Sequence, residues 1–99
     1  MKQISVKELE TLLNKKKALN IIDVREVAEV AGGKIPSAVN IPLGLIECKM
    51  NELDKSKEYY IVCLSGGRSS QATRFLEYQG YNVTNMTGGM MSWMGAVEY

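Results

Sequence analysis

Cys63-Leu64-Ser65-Gly66-Gly67-Arg68-Ser69-Ser70 is the stretch whose residue types and spacing could do chemistry. A cysteine, two adjacent glycines, an arginine and two following serines combine a nucleophile with the means to hold an anion. Glycine lets the backbone turn tightly and aim successive N–H groups at one point. A helix starting near Ser69 would add its own unpaired N–H groups and positive dipole end. An ordinary thiol, with a pKa of about 8.5, is only about 3% ionised at pH 7, so a nucleophilic cysteine needs such surroundings. Backbone N–H groups and the Arg68 guanidinium would stabilise a Cys63 thiolate without an imidazole, and the chain contains no histidine. Taken singly, each residue has a plainer account: Cys63 as a small buried residue capping a strand, Arg68 as half of a surface ion pair, Gly66-Gly67 as a simple turn. The combination favours chemistry.

The segments around this stretch place it. Leu19-Asn20-Ile21-Ile22-Asp23-Val24 and Tyr59-Tyr60-Ile61-Val62 are nearly continuous apolar runs with β-branched residues, the pattern of strands buried on both faces. Val39-Asn40-Ile41 and Val83-Thr84-Asn85-Met86 are shorter strand candidates, and Gln3-Ile4-Ser5 adds an edge strand. Ser5 and Glu8 form a capping box ahead of apolar Val6, Leu9, Leu12 and Leu13, which predicts a helix of about ten residues. Lys15-Lys16-Lys17 ends it, cations there offsetting the helix dipole rather than forming a basic patch. Further helices are predicted over residues 26–31, 43–53 and 69–79, the last stopped by Gly80 in a left-handed conformation. Pro36 and Pro42 bracket the third strand. Strands alternating with helices give the α/β class, a mostly parallel sheet covered on both faces. In such sheets ligands bind at the carboxyl ends of strands, where the Cys63 loop falls.

Composition narrows the function. Residues 1–99 form one domain with a single core, at 45% hydrophobic and 23% charged residues. Twelve Lys+Arg against eleven Asp+Glu leave a net charge of +1, too little field for nucleic acid or a membrane surface as partner. The absence of histidine, with only two cysteines, excludes Cys/His zinc sites, Ser-His-Asp and Cys-His pairs and histidine-ligated haem; no metal or cofactor is implied. No apolar stretch approaches the roughly 20 residues of a membrane span, and Met1-Lys2-Gln3-Ile4-Ser5 carries no signal-peptide core, so a cytoplasmic location is expected. There Cys48 and Cys63 would be thiols rather than a structural disulfide.

Three separate segments resemble the rhodanese family of sulfurtransferases: Asp23-Val24-Arg25-Glu26 continuing to Gly33-Lys34-Ile35-Pro36-Ser37-Ala38-Val39-Asn40-Ile41-Pro42, the loop from Cys63 to Ser69, and Gly88-Gly89-Met90-Met91-Ser92-Trp93. The resemblance implies a rhodanese-like domain with a five-stranded sheet. It also implies that Cys63 takes sulfane sulfur from a donor such as thiosulfate, holds it as a persulfide, and passes it to cyanide, a thiol or a protein thiol. Leu64, Ser65, Gly66, Gly67, Arg68 and Ser69 would form the loop that binds substrate and persulfide, with Asp23 and Arg25 bracing it. Related Cdc25-type phosphatases and arsenate reductases place five residues between cysteine and arginine. Here there are four, as in rhodaneses, and the tighter ring favours sulfur transfer. A second reading keeps the persulfide and drops the turnover: a carrier or binding module serving a protein partner.

Two departures from the family pattern stand out. Lys34 replaces a common histidine away from the chemistry, and Leu64 replaces a residue that is often polar or basic, which implies weak binding of thiosulfate. A domain without the tandem partner known in this family should have a relatively open site, suited to larger thiol or protein acceptors. Gly88-Gly89 and Trp93 look like the family's C-terminal structural motif, with Trp93 packing. Cys48, inside the 43–53 segment, reads as a buried or half-buried filler, the sharper alternative being a resolving thiol. The Met90-Met91-Ser92-Trp93-Met94 cluster reads as core filling, against the alternative of an exposed interaction surface.

Overall fold

Strands form where the short β-branched runs lie. The computed structural model describes residues 1–15 and 18–99. In it β1 (Lys2–Ser5), β2 (Asn20–Asp23), β3 (Val39–Asn40), β4 (Glu58–Val62) and β5 (Asn82–Thr87) make one sheet. Their order is β1-β5-β4-β2-β3, and every neighbouring pair is parallel. The sheet is therefore all-parallel rather than mostly so. The antiparallel bridge between Lys34 and Glu98 lies outside it.

The apolar runs are continuous because adjacent residues serve different faces. Ile21, Tyr60, Val62 and Met86 pack with Leu9 of α1 (Val6–Lys15) in one cluster. Ile22, Ile61 and Val83 pack with Ala72 and Leu76 of α4 (Gly67–Tyr78) in another. Helices thus cover both faces. The capping box at the start of α1 is formed: Ser5 N–H donates to Glu8 Oε1 at 3.0 Å and Glu8 N–H to Ser5 Oγ at 3.1 Å. Lys15 ends this helix, while Lys16 and Lys17 lie outside the described residues. Gly80, at φ +96°, follows the end of α4 as expected.

Two helical segments differ from expectation. α2 spans only Val27–Val30. The 43–53 segment is not one helix but 3₁₀ turns at Leu43–Leu45 and Met50–Glu52 flanking α3 (Ile46–Lys49). Gly44 weakens helix propensity at its start, and the Tyr81 hydroxyl donates to the Met50 carbonyl at 2.8 Å, satisfying it outside a helical ladder. Ile46 faces the core, and Cys48 is exposed rather than buried because this short helix rests on the domain by one side only. The methionine cluster also divides. Met90 and Trp93 pack against the Leu9 cluster, while Met91 and Met94 are exposed. Among the described residues no helix is long and apolar enough to cross a membrane.

Candidate active site

From β2 the chain moves outward to β3, and from β4 it moves the other way to β5, so the crevice between β2 and β4 is the switch point of the sheet. Both chemically marked segments leave their strands there. Asp23 pairs in register with Val62, the residue before Cys63.

Cys63 follows β4 directly and is 0% exposed. Leu64 and Ser65 carry the chain outward, and Gly66, at φ +105°, turns it into α4 from the left-handed region that glycine tolerates. The helix therefore begins at Gly67, two residues earlier than predicted, and its first turn is closed by Ser70 N–H donating to the Gly66 carbonyl at 3.0 Å. Gly67, Arg68 and Ser69 belong to α4, and the loop proper is Leu64 to Gly66. This tight turn aims Gly66 N–H at Cys63 Sγ, 3.0 Å away.

Ser69 completes a small ring around the sulfur. The Cys63 thiol donates to Ser69 Oγ at 3.2 Å, and Ser69 Oγ donates to the Gly66 carbonyl at 3.2 Å. Burial pushes the Cys63 thiol up. The Ser69 hydroxyl and the backbone N–H groups of Ser69, Gly66 and Ser65 outweigh it, and the net direction is down. A thiolate would be served by the same ring, with the Ser69 hydroxyl rotating from the Gly66 carbonyl to the sulfur. The expectation of an open site does not hold for the sulfur itself, because the loop folds over Sγ to bring Gly66 N–H to it.

The other side of the loop is clamped by the Gly89 to Met91 segment, whose residues were expected only to pack or fill the core. Met90 N–H donates to the Cys63 carbonyl at 2.7 Å and Met91 N–H to the Leu64 carbonyl at 2.9 Å. Gly89 makes this approach feasible: a Cβ there would lie deep inside contact distance of the Leu64 carbonyl and Ser65 nitrogen. The Gly88-Gly89 doublet was the visible signal. Which loop it supports is a tertiary fact.

Arg68 is placed differently from expectation. Its Nη1 and Nη2 donate to Glu29 Oε1 and Oε2 at 2.6 and 2.8 Å, and no hydrogen bond from it reaches Cys63 Sγ among the described residues. A carboxylate that accepts both arms of the fork outcompetes a single sulfur. Nothing local marks Glu29 as the partner of Arg68; its spacing from Glu26, whose N–H it accepts at 2.9 Å, points only to a helix start.

Asp23 and Arg25, expected to brace the Cys63 loop, form a buried ion pair. Arg25 Nη2 meets Asp23 Oδ2 at 2.8 Å, Arg25 Nε meets Asp23 Oδ1 at 3.0 Å, and Arg25 Nη2 also donates to the Gly33 carbonyl at 2.8 Å. Asn40 Nδ2 donates to the Asp23 and Arg25 carbonyls, both at 2.9 Å. The pair ties β2 to β3 and to the turn at Gly33. Its connection to the Cys63 loop runs through α2, whose Glu29 holds Arg68.

The rhodanese-like domain family matches residues 5–96. This chain is a member of that family. Among its relatives, "Putative sulfurtransferase YtwF" of Bacillus subtilis is 46% identical over 98 residues, covering 99% of this chain and 95% of that protein. "Putative sulfur carrier protein YrkF" of the same organism is 41% identical over 97 residues, covering 97% of this chain but 52% of that protein, so this chain spans about half its length. The solved structure of a rhodanese-like domain protein from Staphylococcus aureus superposes with a TM-score of 0.93 at 39% identity, covering 99% of this chain and 97% of that one. The rhodanese-like relatives support a role in sulfur transfer.

Proposed function

We propose that this rhodanese-like protein is a sulfurtransferase that works through a persulfide on Cys63. The observation that carries the reading is the ring around the sulfur, with Gly66 N–H at 3.0 Å and Ser69 Oγ at 3.2 Å at the carboxyl end of β4. In the first half-reaction the Cys63 thiolate attacks the outer sulfur of a donor such as thiosulfate. The donor's S–S bond breaks, sulfite leaves with the electron pair, and Cys63 carries a persulfide anion. Cyanide, a thiol or a protein thiol then attacks the outer sulfur and returns Cys63 as thiolate, and no metal, cofactor or external redox agent is needed for either transfer to balance. The N–H groups serve first the attacking thiolate and then the terminal sulfur. A reducing, cytoplasmic setting belongs to this reading, since it keeps Cys63 as a thiol between turnovers.

A second reading is a persulfide carrier that hands sulfur to a protein partner with little turnover on small molecules, using the same ring around the sulfur. The name of the Bacillus subtilis carrier relative fits it. One experiment tests both. After incubation with thiosulfate, intact mass should show a gain of one sulfur on the wild type, removed by cyanide, and none on Cys63→Ser. Absence of the gain in wild type from thiosulfate and from an organic persulfide alike, or its persistence in Cys63→Ser, overturns the persulfide. Multiple turnovers of thiocyanate per protein select the enzyme, and a single stoichiometric release selects the carrier.

A further inference from the structure

The cation that this loop could offer to an anion is already engaged. Arg68 and Glu29 meet fork to fork between α4 and α2, at 2.6 and 2.8 Å. Glu29 is fixed in turn by Glu26 N–H at 2.9 Å. The Arg68 hydrogen bonds, ahead of the Glu26 contact, hold its carboxyl down at about 2, so it remains ionised at any working pH. Glu26 lies close enough to act on Arg68 through space, as a second carboxylate. Arg25 is committed to Asp23 at 2.8 Å. These two arginines therefore face three carboxylates, and an ionised Cys63 adds another negative charge. Leu64, 42% exposed beside Cys63, brings neither a cation nor a donor side chain. A dianion arriving here must either displace two charge-assisted hydrogen bonds or approach a cluster with no positive surplus.

We propose that Glu29 determines donor specificity by masking Arg68, turning the site from dianionic donors such as thiosulfate toward organic persulfides with an uncharged R group, in which the transferable sulfur is the only group that can ionise. The inference rests on the sulfur-transfer reading above and adds the donor class. The step is balanced: the Cys63 thiolate attacks the outer sulfur of R–S–SH, the S–S bond breaks, R–S⁻ leaves with the electron pair, and Cys63 becomes Cys63–S–SH. Glu29 touches no reacting atom, so it is a positioning residue that acts through Arg68.

The test compares thiosulfate with the persulfide of N-acetylcysteamine as donors for wild type, Glu29→Gln and Glu29→Asp. Glu29→Gln keeps the shape and removes the charge; it should lower KM for thiosulfate about three- to tenfold, as expected for one charge acting on a dianion across a solvated rim. KM for the organic persulfide should stay within about twofold, and kcat should hold for both donors. Glu29→Asp keeps the charge and should follow wild type on thiosulfate. A raised thiosulfate KM in Glu29→Gln, a kcat loss on both donors, or unchanged KM on both would overturn the proposal. Failure of the underlying reading looks different: wild type would gain no sulfur from either donor by intact mass.

Discussion

One hydroxyl serves both protonation states of Cys63. In the thiol form Ser69 Oγ accepts from the sulfur and donates to the Gly66 carbonyl. In the thiolate form it can only help by donating to sulfur, and its proton is free to rotate there. Burial alone would raise the Cys63 pKa, so this hydroxyl is one of the groups that reverse the direction. Ser69→Ala removes it and leaves the backbone N–H groups. The Cys63 pKa then moves up, less thiolate is present at neutral pH, and alkylation by iodoacetamide at pH 7 should slow by about tenfold, the value of one hydrogen bond to a charged group. The rate–pH profile should shift toward alkaline pH with its plateau kept. A profile superimposable on wild type would show that the N–H groups suffice.

At the scale of elements, the site depends on two turns pressed together. The turn from β4 into α4 holds the sulfur from one side, and the Gly89 to Met91 segment after β5 holds the loop carbonyls from the other. Gly89 sits at φ +67° and ψ −175°, which combines a glycine conformation with a contact that admits no Cβ. Gly89→Ala should therefore cost about 2–5 kcal/mol in a urea melt, from backbone strain and overpacking together. The surviving folded protein should form persulfide more slowly, because the loop is pushed off its register. A loss under about 0.5 kcal/mol would mean that the two turns are not packed as described.

These turns also mark where sequence reading stops. The strands could be read because parallel strands buried on both faces must be short β-branched runs, and Ile21-Ile22 and Ile61-Val62 are such runs. Cys63 could be read because the glycines and the following helix are local to it. The start of α4 could not, because Gly66 turns the chain without an N-cap side chain of the usual type. Glu29 lies 39 residues from Arg68, and nothing in its neighbourhood announces that pairing. Cys48 is exposed, against expectation, because three short turns stand where the spacing predicts one long helix and leave its side chain in solvent.

Across the whole molecule, the Asp23–Arg25 pair converts strand order into site geometry. Asp23 is 0% exposed, and its backbone carbonyl accepts Ile41 N–H at 3.0 Å while its carboxylate holds Arg25. Val24 N–H donates to the Val62 carbonyl at 2.9 Å, so the same short stretch is tied to the strand that delivers Cys63. β2, β3, β4 and the Gly33 turn are thus joined at one buried ion pair at the carboxyl edge of the sheet. A buried pair adds little over an apolar substitute of the same shape, but removing one partner strands the other charge without solvent. Asp23→Asn keeps the volume, removes the carboxylate's charge and leaves the Arg25 guanidinium buried. Stability should fall by about 3–5 kcal/mol, a large share of what a domain of this size has, with the urea m-value unchanged. Tm should drop by at least about 10 °C. Arg25→Met removes the other charge but restores apolar contact and keeps the backbone N–H of position 25 as a donor to Asp23, at 3.0 Å, so it should be less damaging. Equal and small losses in both variants would show that water reaches this edge, and that the sheet rather than the ion pair holds the Cys63 strand in register.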